Sequence, residues 1–227
     1  MSLRFFENDL DTHTADNLIT KDWLAIDTET DGLNYREHKL RLVQICTEDG
    51  RVYIVRNPRG LPRSPNLAKV LTSTWPTKVF HHAMFDLRFI KAWMRTEVAE
   101  PIECTKVLMK ICHPEKKSGI KSLLGNVLKI HLPEMHVDYT KWNEPVLSNE
   151  QLTYSAGDVL YLIKAFKTLR HKMNWYERQI YKRAIKACIN TAFLQVEGFT
   201  DLFDYQQNAY EVNLEQRNWW HSPRGEE

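Results

Sequence analysis

The stretch AIDTET, residues 25–30, sets two carboxylates, Asp27 and Glu29, one residue apart directly behind an apolar lead-in, WLAI. An extended chain turns residues i and i+2 to the same face, so this pattern predicts a strand over 23–30 carrying two negative charges side by side. Like charges placed together on a sheet face are destabilising, and packing alone gives no reason for them. The pair therefore points to something that compensates the charge.

Outward from this strand, 40–47 (LRLVQICT) and 51–56 (RVYIVR) are β-rich runs on either side of the turn-like EDG at 48–50, which predicts three adjacent antiparallel strands. The Pro-, Arg- and Gly-rich segment 56–66 reads as a loop, LAKVLTST as a helix, and KVFHH (78–82) as a further strand. From Ala83 the period changes. Phe85, Phe89, Ile90 and Trp93 share a helical face, which sets Asp86 in the opening turns of a helix, where carboxylates are favoured.

Helices are also predicted at 104–112 and 119–130, with a Pro-containing connection over 131–147. Ser148 and Gln151 form a capping-box pattern, and Leu152, Val159, Leu162, Ile163, Phe166 and Leu169 then make a helical stripe. This predicts one long helix from 149, continued or resumed after a break near Asn174 through residue 199. Residues 207–227 show no periodicity and read as a tail, loosely ordered or docked on a partner.

The 227 residues suit a single α/β unit with a terminal extension. With 43% hydrophobic and 26% charged residues the composition is globular and excludes disorder; a net charge of +2 excludes an overall basic protein but not a locally basic face. The four cysteines have neither a CxxC pair nor metal-type spacing, so they read as reduced thiols in a reducing compartment. The acidic start MSLRFFENDLD lacks a signal-type apolar region, and no apolar run approaches the ~18 residues of a membrane span, so a soluble, cytoplasmic protein is expected.

A third and a fourth carboxylate, Asp86 and Asp158, interrupt otherwise apolar helical patterns, and Tyr154 lies four residues before Asp158 on the same face. An Asp-x-Glu pair is most often a solvated strand face, and a helical tyrosine most often a core aromatic; the tyrosine's offset from Asp158 favours chemistry here. Four converging carboxylates persist if cations occupy the site, and hard oxygen ligands suit Mg²⁺ or Mn²⁺. Two such ions would serve an in-line phosphoryl displacement.

In order and spacing, AIDTET, FHHAMFD and YSAGD resemble the three motifs of the DEDD superfamily of 3′-to-5′ exonucleases. Tyr154 matches the tyrosine branch; the histidine branch would have its histidine at the position of Thr153. Over most of the chain the resemblance extends to ribonuclease D-like proteins, closest to the nano-RNase C group, through RFFENDL, LRLVQI, PNLAKVL, ECTKVL, GIKSLL, LSNEQLTYSAGDVLYL and DLFDY. His82 departs from the asparagine usual in ribonuclease D proteins, and the loop before KWNEPVLS is shorter than in the closest group.

The resemblance implies a ribonuclease H-like α/β fold, a mixed sheet flanked by helices with a C-terminal helical extension. It divides the chain into an exonuclease domain, 1–174, and an extension and tail, 175–227. It implies Asp27, Glu29, Asp86 and Asp158 as ligands of two Mg²⁺ or Mn²⁺ ions, and Tyr154 as the residue orienting the attacking water. Leu33 would wedge between terminal bases, with His81 and Phe85 close to the substrate.

The expected activity is metal-dependent 3′-to-5′ release of nucleoside 5′-monophosphates from short RNA by a homo-oligomer. Trimming of longer RNA 3′ ends, as by ribonuclease D, or of single-stranded DNA is the alternative. A catalytically silent nucleic-acid-binding module ranks below both, because all four acids and the tyrosine are present. Trp142, Trp219 and Trp220 could stack bases, but tryptophan more commonly stacks on core or a neighbouring subunit, and they are assigned no role; the lysines at 106, 110, 116, 117 and 121 read first as a solvated face, with a phosphate track as the sharper, secondary reading.

Overall fold

The computed structural model describes residues 2–133, 137–138, 141–200 and 202. The expectation for residues 207–227, Trp219 and Trp220 included, lies outside the described residues, as do most of DLFDY and residues 134–136 and 139–140 of the predicted connection.

Six strands form one mixed sheet: β1 (Ser2–Glu7), β2 (Trp23–Thr30), β3 (Leu40–Thr47), β4 (Arg51–Arg56), β5 (Thr77–Phe80) and β6 (Ile102–Cys104), in the order β1-β4-β3-β2-β5-β6. The three strands read from the sequence are adjacent and antiparallel, with Asp27 opposite Gln44 and Glu29 opposite Leu42. β1, β5 and β6 add in parallel. Parallel pairing requires crossovers, and the helices supply them.

The helices begin where local chemistry satisfies their free N–H groups. Asp11 caps α1 (Thr12–Leu18), Pro65 opens α2 (Pro65–Thr72), and α3 (Ala83–Met94) starts behind His82 with Asp86 in its first turn. α4 (Thr105–Cys112) and α5 (Ile120–Leu128) follow. The capping box predicted at Ser148 is present: its Oγ accepts from the Gln151 N–H at 3.1 Å, and the Gln151 side chain accepts from the Ser148 N–H at 2.9 Å. A second box, Asn174 with Glu177, opens α8 (Trp175–Val196).

Two expectations need correction. His81 and His82 do not continue a strand; β5 ends at Phe80, and His82 is the N-cap of α3. The predicted long helix is two, α6 (Asn149–Leu160) and α7 (Leu162–Lys172), broken at Tyr161, whose φ of −111° and ψ of 0° lie outside the helical region. The apolar stripe runs through the break, since Val159, Leu162, Ile163 and Phe166 are all buried.

The core gathers the β2–β4 interior, Leu24, Ile26, Val43, Ile45 and Ile54, with Leu87 and Ile90 of α3 and Phe166 of α7. α8 shares it through Tyr181, Ile185, Ile189 and Val196. Its end is clamped by Lys91, which bonds both Glu97 and Glu197. Gly60, at φ +66°, fits where it does because an added Cβ would run into the Met94 carbonyl. Among the described residues no helix is long and apolar enough to cross a membrane. All four cysteines are free thiols.

Candidate active site

Pleat alternation aims Asp27 and Glu29 the same way from the centre of the sheet, and α6 packs across β2 and β3. Asp158, in the last turns of α6, thereby comes to the pair: one carboxylate oxygen from each of Asp27, Glu29 and Asp158 lies within 4.8 Å of the others. Asp86 is not part of this tight group. Thr28, between the two acids, bonds it instead, its Oγ1 donating to Asp86 Oδ1 at 2.6 Å.

The electrostatics follow from this crowding. Burial, then the charges of Asp86, Asp158 and Glu29, hold the Asp27 carboxyl well above the usual range; burial, then Asp158 and Asp86, do the same to Glu29. Asp86 is pushed up to about 7, mainly by burial and against the Thr28 hydrogen bond. Asp158 is also raised to about 7 by burial, while the Tyr154 hydroxyl, donating to its carboxylate, and the Lys121 charge pull it down.

The four acids that sequence reasoning selected are thus one interacting set, and Tyr154 is hydrogen-bonded to the fourth. Among the described residues none of the four forms an ion pair with lysine or arginine. The donor set suits a hard divalent cation: every ligand atom is a carboxylate oxygen, and Asp86 Oδ2 is a buried acceptor that no donor among the described residues meets. The arrangement fits a metal centre.

The three predicted substrate contacts stand differently. Leu33, on the turn after β2, is 81% exposed and free to meet a ligand. Phe85 stacks between the His82 ring, centroids 6.1 Å apart, and Phe89, 4.8 Å apart. His81 Nδ1 pairs with Thr105 Oγ1 at 2.9 Å, and its ring is pushed down to about 4, first by burial and then by the Lys106 and His82 charges. At neutral pH His81 is therefore uncharged.

Sequence reasoning missed the groups behind the acids. Thr28 holds Asp86. Gln44, fully buried opposite Asp27, donates Nε2 to Glu29 Oε1 at 3.3 Å. Trp142, fully buried, packs on Tyr154 with ring centroids 6.3 Å apart. A glutamine inside the apolar run LRLVQICT was the visible signal for one of them; nothing local marked the others.

Residues 7–174 match the family model described as 3′-5′ exonuclease. Among solved structures, NrnC from Brucella melitensis superposes with a TM-score of 0.80 at 31% identity, over 91% of this chain and all of that one; related structures hold that protein with Mg²⁺ and with pGG. Ribonuclease D from Sphingobium indicum is 27% identical over 151 residues, 66% of this chain and 38% of that protein. Escherichia coli RNase D shares the fold, with a TM-score of 0.64 at 16% identity, over 96% of this chain and 51% of that one. The chain spans less than half the length of the curated ribonuclease D proteins that it matches. With the family model covering most of its length, the chain belongs to the 3′-5′ exonuclease family, among the ribonuclease D-like members of the DEDD superfamily.

Proposed function

We propose that this protein is a metal-dependent 3′-to-5′ exonuclease that releases nucleoside 5′-monophosphates from short RNA oligonucleotides. One observation carries the reading: Asp27, Glu29 and Asp158 meet within 4.8 Å, with no ion-paired cation among the described residues, beside a tyrosine bonded to Asp158. Asp27, Glu29, Asp86 and Asp158 are the residues that would hold two Mg²⁺ or Mn²⁺ ions. When bound, such ions supply an activated water and neutralise charge at the phosphoryl group.

The chain's own residues do the rest. Thr28 and Gln44 fix the rotamers of Asp86 and Glu29, so the carboxylates are set before substrate arrives. Tyr154, braced by Trp142 and by Asp158, presents its hydroxyl oxygen to the attacking water and orients it toward the scissile phosphorus. Leu33 wedges between the terminal bases, Phe85 borders the substrate path, and neutral His81, its Nδ1 bonded to Thr105, lies beside that path.

Short RNA is favoured because NrnC, a structure covering 91% of this chain, is known bound to pGG. The second reading, trimming of longer RNA 3′ ends, rests on the ribonuclease D relatives. We take 1–174 as the exonuclease domain and 175–227 as a helical extension, and expect a cytoplasmic homo-oligomer. The test is hydrolysis of 5′-labelled RNA and DNA from dinucleotide to about twenty nucleotides, with Mg²⁺ or Mn²⁺ and with chelator, at two salt concentrations. A short-RNA enzyme makes few phosphate contacts, so its kcat/KM should depend weakly on salt, whereas a binder of long strands loses affinity steeply. Efficiency that climbs with length and falls sharply with salt would replace the short-RNA reading, and cleavage undiminished by excess EDTA would remove the metal.

A further inference from the structure

Gly157 lies inside α6, next to Asp158. A glycine in a helix interior costs roughly 0.5–1 kcal/mol relative to alanine. Among the described residues packing does not call for it, because a Cβ built at Gly157 meets none of their atoms within 4 Å. The missing side chain instead borders a cavity of about 170 Å³. Ile120 and Leu132 wall that cavity, and Tyr154, Asp158 and Lys121 open onto it.

Lys121 is exposed, like Lys116 and Lys117, and unlike them it lines this cavity. Its charge acts on the Asp158 carboxylate, yet the two form no ion pair, so a gap separates cation from anion. An exposed lysine on the rim of that cavity has capacity for a further anion. The walls suit a different group: a cavity of roughly 150 Å³ takes a benzene-sized ring, so this one, at about 170 Å³, has room for one six-membered ring of a nucleobase.

We propose that this cavity is a substrate subsite, in which one nucleotide inserts a ring of its base against Ile120, Leu132 and the bare backbone of Gly157 while Lys121 grips its phosphate beside Tyr154. The ammonium acts as a point-charge phosphate contact. Gly157 keeps the space that any side chain would fill. The inference rests on the exonuclease reading and deepens it, giving the site a nucleotide pocket on the α5–α6 side of the acids.

Two variants test it, with a 5′-phosphorylated GG dinucleotide as substrate and saturating Mg²⁺. Gly157→Leu fills the cavity, and Lys121→Met keeps the stem but removes the charge. Each should raise KM about tenfold or more while kcat changes less than about threefold, the pattern of lost binding rather than lost chemistry. Lys121→Arg should restore most of the binding. Gly157→Leu should melt no lower than wild type, since the helix gains propensity; Gly157→Ala, which projects less into the space, should raise KM less. Should Gly157→Leu fail to fold, the Lys121 pair decides. An active wild type whose folded variants keep KM within about twofold overturns the subsite alone. A wild type that hydrolyses neither RNA nor DNA overturns the exonuclease reading and the subsite together.

Discussion

The Thr28 hydroxyl donates to Asp86 Oδ1 at 2.6 Å, joining β2 to α3 across 58 positions of sequence. The bond occupies one oxygen of the buried carboxylate and leaves Oδ2 as an acceptor without a protein donor. Thr28→Val keeps the shape of the side chain and removes the donor. Because outer groups that orient a ligand are worth about 10- to 100-fold in metal affinity, half-maximal activity should need that much more Mg²⁺. Activity titrated with Mg²⁺ checks this; an unchanged requirement would make Thr28 a packing residue.

The crowded acids make the metal-free protein pH-sensitive in a defined direction. Asp86 and Asp158 are held at about 7, against an ordinary value of 3.8. Between those values the native state therefore binds more protons than the unfolded chain. Their contribution to stability is largest at low pH and is lost as pH rises through about 7. His81 and His82, both lowered to about 4, act oppositely, costing stability as pH falls below their ordinary range. The comparison must therefore be between variants. Asp158→Asn should melt several degrees above wild type in EDTA at pH 8, with the gap closing toward pH 5, and hydrolysis should fall by more than about 10³-fold. A gap that is constant with pH would remove charge repulsion as its cause.

Tyr154 is bonded to Asp158 and packed on Trp142. Tyr154→Phe retains the packing and deletes the hydroxyl, so kcat should fall roughly 10²- to 10⁴-fold with KM and the Mg²⁺ requirement little changed. Near wild-type kcat would return Tyr154 to the role of a core aromatic that happens to touch an acid.

These groups differ in how visible they were in the sequence. Asp27, Glu29, Asp86 and Asp158 interrupt apolar patterns, and periods of 2 and 3.6 assign each to a strand or a helix, so both the element and the side chain could be read. The Ser148 capping box was legible for the same reason, being a local pattern of four residues. β6 was not, because Ile102–Cys104 is too short to show a period and exists by pairing with β5. The break at Tyr161 was hidden by an apolar stripe that continues on both sides of it. Lys121 was visible only as one member of a basic stretch, and Thr28 and Gly157 carry no signal of their own; each acquires its neighbours from segments distant in the chain.

Gln44 is the residue whose role separates geometry from charge. It lies opposite Asp27 in the β2–β3 register, is fully buried, and donates Nε2 to Glu29, while its own Oε1 has no protein partner. Gln44→Leu removes the donor at similar volume and frees the Glu29 carboxylate to rotate, so the Mg²⁺ requirement should rise about 10- to 100-fold while kcat at saturating Mg²⁺ stays within about threefold. Gln44→Glu keeps the shape but replaces a donor with a further buried carboxylate, which repels Asp27 and Glu29. In EDTA at pH 8 it should melt well below both wild type and Gln44→Leu, and lowering the pH toward 5 should recover much of the loss, because the added acid is then protonated. If Gln44→Leu titrates with Mg²⁺ like wild type, the 3.3 Å contact holds nothing in place and Glu29 is positioned by its strand alone.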